Sequence, residues 1–178
     1  MNTQLSHKET KQKQLELPLI LVSDGVQSPA NIGAIFRACE AFGIEKMYLC
    51  NTDVNFDSPR LKKTARNTQK LVPFSVTTNA LETVKDLKQM GYTIISIEIT
   101  GTSEPLHSLK VNTFHKIAVV VGNEQDGVSA DVLNFSDICT HIQMYGTNSS
   151  MNVAQATSIA LNTLIHKFNT IKTLHQTT

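Results

Sequence analysis

The apolar positions fall in short runs separated by longer stretches of helical period. Leu17 to Ser23 (LPLILVS), Lys46 to Cys50 (KMYLC), Val72 to Val76, Thr93 to Ile99 (TIISIEI), Ile117 to Val121 (IAVVV) and Ile138 to Met144 each have strand length, several of them rich in β-branched residues. Between them, Ile32, Ile35, Phe36, Cys39 and Phe42 recur at helical spacing behind Ser28-Pro29, a helix start with Ser at the cap and Pro in the first turn. Gly43 is placed to end that helix. A short helix is expected over Pro59 to Thr68, another over Ala80 to Met90 closed by Gly91, and a long one over Met151 to Phe168. Strands alternating with helices predict an α/β domain with a mostly parallel sheet and helices on both faces. Ligands of such sheets sit outside the carboxyl ends of the strands, which draws attention to the loops after Ser23, Ile99, Val121 and Met144.

Composition changes this picture little. The 178 residues suit one domain, from residue 17 to 178, behind a polar segment 1–16. No apolar run reaches membrane-spanning length, and the first residues lack the apolar core of a signal peptide. Cys39, Cys50 and Cys139 are scattered and odd in number, which fits a reducing cytoplasm; with the histidines they form no metal-ligand spacing, so no metal is expected. A formal net charge of +1 argues mildly against a nucleic-acid partner. Its distribution argues the other way: from Ser58 to Leu81 there is no acidic residue, while Arg60, Lys62, Lys63, Arg66 and Lys70 fall together. Such a cluster neutralises phosphates or is simply a solvated helix face.

Three constellations carry candidate chemistry. In Asn31-Ile32-Gly33-Ala34-Ile35-Phe36-Arg37, Gly33 and Arg37 are four apart on a helix, and Gly33 is expected to leave open space beside the guanidinium. An arginine there holds a phosphate or steadies a developing oxyanion, or is a surface residue. Gly122-Asn123-Glu124-Gln125-Asp126-Gly127 follows the strand IAVVV and suits a tight turn with backbone facing a ligand; it is neither a P-loop nor a dinucleotide fingerprint. The stretch from Ile142 to Ala154 leads from a strand through a small polar loop into the long helix, which Ser149 or Ser150 can cap.

Taken in order, Asn31-x-Gly33-x-x-x-Arg37, then Gly122-x-Glu124-x-x-Gly127, then Ile142-x-Met144 and Ser150-x-Asn152-Val153 resemble the SpoU/TrmH family of RNA 2′-O-ribose methyltransferases, within the SPOUT superfamily. The resemblance runs from about Leu17 to Phe168. It implies a deep trefoil knot near the C-terminus, a homodimer with the active site assembled at the subunit interface, and S-adenosylmethionine as cofactor. Cofactor contacts would fall on Ile97, Glu98, Gly122, Asn123, Gly127, Ile142, Met144, Ser150 and Met151. Arg37 would be catalytic, with Asn31, Glu124, Ser150 and Asn152 around it. RNA would meet Arg37, Arg60, Lys62, Lys63 and Arg66, tRNA being expected ahead of rRNA, with no DNA or membrane partner. Two other readings remain: an RNA-binding module of this fold without methyl transfer, and an unrelated α/β nucleotide enzyme that would neither bind the cofactor nor dimerise.

Overall fold

The computed structural model describes residues 17–111, 115–148 and 150–175, with residues 170–175 as backbone. Seven strands form one sheet: β1 Leu19–Asp24, β2 Lys46–Cys50, β3 Phe74–Thr77, β4 Thr93–Ile97, β5 Glu104–Pro105, β6 Ile117–Val121 and β7 Ile138–His141. Their order across the sheet is β3-β2-β1-β6-β4-β7-β5, and every neighbouring pair is parallel. Among the described residues there are five α-helices: α1 Pro29–Ala41, α2 Pro59–Ala65, α3 Ala80–Gln89, α4 Ala130–Phe135 and α5 Val153–His175.

The pleat explains why the central strands are apolar throughout. Leu19, Leu21, Val119 and Val121 point into one core with Ile32, Ile35 and Phe36 of α1 and Leu161 and Leu164 of α5. Ile20, Val22, Ala118 and Val120 point into a second core with Val84 and Leu87 of α3 and Val132 of α4. Both faces of the sheet are thus covered, as a parallel sheet requires.

Several boundaries differ from those expected, each for a local reason. Pro73 has no N–H for the ladder, so the third strand begins at Phe74 rather than Val72. The basic helix stops at Ala65, not Thr68, because Arg66 and Asn67 both take left-handed backbone (φ 50° and 70°). Strands β4 and β7 end at Ile97 and His141, short of Ile99 and Met144, since both chains turn there into loops. The long helix starts at Val153 and runs past Phe168 to His175. Its cap is Asn152, whose Oδ1 accepts from the Ala154 N–H at 2.9 Å; Ser149, one of two residues expected there, lies outside the described residues, as does the segment 1–16. The six-residue α4 and the two-residue β5 carry too little periodicity to be expected from sequence.

One expectation about Gly33 is corrected outright. It does not leave open space beside Arg37: α2 fills it, and a Cβ on Gly33 would lie 2.7 Å from the Leu61 carbonyl oxygen and 3.0 Å from the Ala65 nitrogen. The missing side chain lets two helix backbones approach, and so fixes the basic helix against α1.

Candidate cofactor cleft and its polar chain

The strand order changes direction beside β1, which pairs with β2 on one side and β6 on the other. Such a switch point opens a crevice at the carboxyl edge of a parallel sheet. Here it is bridged: Asn123 Nδ2 donates to the Gly25 carbonyl at 2.7 Å, tying the loop after β6 to the loop after β1. Next to it, outside the ends of β4, β6 and β7, lies a cleft of about 440 Å³. Cavities of this size suit a small cofactor.

All nine residues expected to contact a cofactor line it: Ile97, Glu98, Gly122, Asn123, Gly127, Ile142, Met144, Ser150 and Met151. Glu98 is committed to the protein. Its Oε2 accepts from the Val128 N–H at 3.0 Å and its Oε1 from the Ile99 N–H at 2.9 Å, which holds the Gly122–Gly127 turn from below. Gly127 has φ 68°, and any side chain on it would strike the Glu98 carboxylate. A Cβ on Gly122 would run into the backbone of Gly127 and Val128. The two glycines are therefore needed for closure of the turn upon itself, sealed by bonds in both directions between Asn123 and Gly127.

Of the five residues expected around the reacting atoms, three form one hydrogen-bonded chain. The Ala154 N–H of α5 fixes Asn152 with Oδ1 toward the helix, so Nδ2 donates to Asn31 Oδ1 at 2.9 Å. Asn31 Nδ2 in turn donates to Glu124 Oε1 at 2.7 Å. Each orientation follows from the one before it, starting at a helix end. The chain joins α1, the β6–α4 loop and α5, and among the described residues Glu124 Oε2 has no partner. Ser150 lines the same cleft. Arg37 does not: it is exposed, two turns along α1 from Asn31, and is not among the lining residues.

The expected RNA contacts lie on α2 and its cap. Arg60, Lys62, Lys63 and Arg66 are all exposed. Lys62 is paired with Asp57 at 2.8 Å, and that hydrogen bond holds the Asp57 carboxyl below its ordinary value. The side chains of Arg60, Lys63 and Arg66 have no ion pair or hydrogen bond among the described residues.

Sequence reasoning missed His141, which lines the cleft. Its Nδ1 lies 2.9 Å from Ser103 Oγ, and that hydroxyl also donates to the Thr100 carbonyl at 3.1 Å and accepts from the Thr100 N–H at 2.9 Å. Since the hydroxyl proton is used on Thr100, Nδ1 is the donor to Ser103. The signal was a lone histidine ending a strand, which only the fold turns toward the cleft. All three cysteines are free thiols; burial pushes Cys39 upward, and burial followed by the Glu98 charge does the same for Cys139. No group of three or more His, Cys, Asp or Glu among the described residues is placed to hold a metal. Among the described residues no helix is long and apolar enough to cross a membrane.

A wholly parallel sheet covered on both faces, with a cleft at its carboxyl edge beside the bridged switch point, defines an α/β domain of the doubly covered, parallel kind. The chain belongs to the SpoU rRNA Methylase family, whose model matches residues 18–162. Membership implies the C-terminal trefoil knot that the family resemblance led us to expect. The chain is 31% identical over 147 residues to a 23S rRNA (guanosine-2′-O-)-methyltransferase, RlmB, of Neisseria meningitidis serogroup B, covering 83% of this chain and 58% of that one. It is 29% identical to the tRNA (guanosine(18)-2′-O)-methyltransferase of Saccharomyces cerevisiae, over 89% of this chain and 11% of the relative. It thus spans less than two thirds of the length of these relatives. Among solved structures it is similar to the A. aeolicus TrmH/SpoU tRNA modifying enzyme, with a TM-score of 0.78 and 25% identity over 88% of this chain and 78% of that one.

Proposed function

We propose that the chain is an RNA methyltransferase that uses S-adenosylmethionine to methylate a ribose 2′-hydroxyl, working as a homodimer in a reducing cytoplasm. The observation that carries this is the convergence of two of the three sequence constellations on one cleft, with Asn31 of the first hydrogen-bonded to the lining residues Asn152 and Glu124. The cleft fits the cofactor chemically. Ile142, Met144, Met151, Val153 and Ala156 offer an apolar wall for the adenine, while the Gly122–Gly127 turn offers backbone donors and acceptors.

When bound, the cofactor supplies a methyl group already attached to a sulfonium leaving group. The residues then have to align the ribose oxygen and relieve it of its proton, as the oxygen–methyl bond forms and the sulfur–methyl bond breaks. Arg37 is assigned to the phosphate beside the target ribose and to the charge developing on its oxygen; a guanidinium holds its own proton, so the ribose proton leaves through phosphate or water. The unpaired Oε2 of Glu124 is placed to accept a ribose hydroxyl or a water. Because Arg37 does not line the cleft of its own chain, its role is best met by a second subunit. The apolar side chains of Tyr145 (91% exposed) and Ile159 (40% exposed) lie on the cleft loop and on α5, where a partner would cover them.

The sequence resemblance puts tRNA ahead of rRNA, while several relatives at about 31% identity are named as acting on 23S rRNA. Both RNAs belong in the test, which is transfer of labelled methyl to unmodified tRNA and to 23S rRNA followed by nucleoside analysis. A labelled 2′-O-methylnucleoside is the expected product, and the RNA that carries it is the substrate. Cofactor binding without transfer to any RNA would favour the RNA-binding module; absence of both would overturn the reading.

A further inference from the structure

A second concavity lies on the same carboxyl edge, outside the ends of β1, β2 and β3. It is lined by Gln27, Asn51, Thr52, Asp53, Val76, Thr77 and Thr78, with a volume of about 870 Å³. We propose that this groove is a subsite for a single-stranded RNA nucleotide flanking the target, reading its base edge; it rests on the methyltransferase reading.

The groove is built rather than incidental. Asn51 takes left-handed backbone (φ 53°), which asparagine adopts more readily than other side chains and which turns the chain sharply at the end of β2. Two anchors hold it there. Asn51 Nδ2 donates to Asp24 Oδ1 at 2.8 Å, and the buried Asp24 carboxylate spends its other oxygen on the Ser129 N–H at 3.0 Å. Gln27 Nε2 donates to the Asn51 carbonyl at 2.7 Å and Gln27 Oε1 accepts from the Asp53 N–H at 3.4 Å, while the Thr52 hydroxyl donates to the Val26 carbonyl at 2.9 Å. These bonds fix the rim 51–53 and leave the Asp53 carboxylate without a partner among the described residues. Val76, 48% exposed, supplies an apolar surface on the same groove.

That chemistry suits a base better than a phosphate. An exposed carboxylate repels phosphate but accepts from the exocyclic amino groups of guanine, cytosine or adenine, which uracil lacks. Phosphates are met one step further along the chain, where residues 51–58 lead into α2 with its free Arg60, Lys63 and Arg66. Phosphate contacts then position the strand and the groove specifies it. The distance is suitable: β2 lies three strands from β4, about 14 Å along the sheet. A strand with its target ribose at the cleft reaches the groove within a few nucleotides.

The test uses unmodified tRNA and 23S rRNA transcripts carrying 6-thioguanosine, photocrosslinked to the full chain and mapped by mass spectrometry, beside steady-state kinetics of Asp53→Ala and Val76→Ser. Crosslinks to peptides containing residues 51–53 or 76–78 are expected, together with a KM for the accepting RNA raised about tenfold and an unchanged Kd for S-adenosylmethionine. Val76→Ser serves as the second variant because its side chain is on the surface. Crosslinks confined to α2 and the cleft, with KM within twofold of wild type for both variants, would overturn the subsite while leaving the methyltransferase reading intact. Absence of methyl transfer by the wild-type chain to both RNAs would instead remove the reading beneath it.

Discussion

The polar chain at the cleft takes its direction from a single backbone group. Because the Ala154 N–H claims Asn152 Oδ1, only Nδ2 remains for Asn31, and Asn31 can then present only its own amide N–H to Glu124. Asn152→Asp separates the two duties of that side chain. It keeps the acceptor that caps α5 but removes the donor, so thermal stability should hold while turnover falls by about tenfold or more; turnover unchanged in Asn152→Asp would mean that Asn152 serves the helix alone. His141 acts at the same scale. Through Ser103 it fixes the Thr100–Ser103 turn, and so places the exposed Ile99 on the cleft wall. His141→Ala should raise the calorimetric Kd for S-adenosylmethionine roughly fivefold, and His141→Asn, whose amide can replace the Nδ1–H donor, should restore most of it. Equal affinity for all three proteins would show the histidine to be a bystander.

At the scale of elements, legibility followed burial and chain chemistry. The strands β2 and β6 could be bounded to the residue from KMYLC and IAVVV, and Ser28-Pro29 marked the start of α1, where Ser28 Oγ accepts from the Asn31 N–H. The ends that slipped are those decided by neighbours: Pro73 against its ladder partner, Arg66-Asn67 turning left-handed, and β4 and β7 breaking off where the cleft begins. Gly33 shows the limit most clearly. Sequence places it on the strip of α1 that carries Arg37, but not the helix lying against it. The close approach makes a specific demand: Gly33→Ala pushes a Cβ against the Leu61 carbonyl and Ala65 nitrogen, which are backbone and cannot rotate away. It should destabilise the chain by about 1–3 kcal/mol, read as a Tm lowered by roughly 3–10 °C. Because α2 carries Arg60 and Lys63, RNA affinity should fall with it. An unchanged Tm would mean that the helices separate freely, and that α2 is not set by α1.

For the whole molecule, the cleft residues were legible in the sequence because two separated motifs converge once the sheet is parallel and Asn31 of the third bonds to both, whereas Arg37 stands apart from them in the folded chain. Spacing along the sequence cannot say whether such a residue serves its own cleft or that of another copy. A symmetric dimer makes the two cases distinguishable. Arg37→Ala and Glu124→Ala should each be nearly inactive alone, with S-adenosylmethionine binding retained by the first. In a dimer whose sites combine Arg37 of one chain with Glu124 of the other, a mixed dimer of the two variants has one site with both residues intact and one with both missing. Random reassortment makes half of all dimers mixed, so activity should return to about a quarter of wild type. If both residues serve the same chain's cleft, every site in every dimer lacks one of them, and mixing restores nothing. Light scattering on the same samples should give twice the chain mass of 19.6 kDa; a monomer at that mass with full turnover would remove the shared site and return Arg37 to its own cleft.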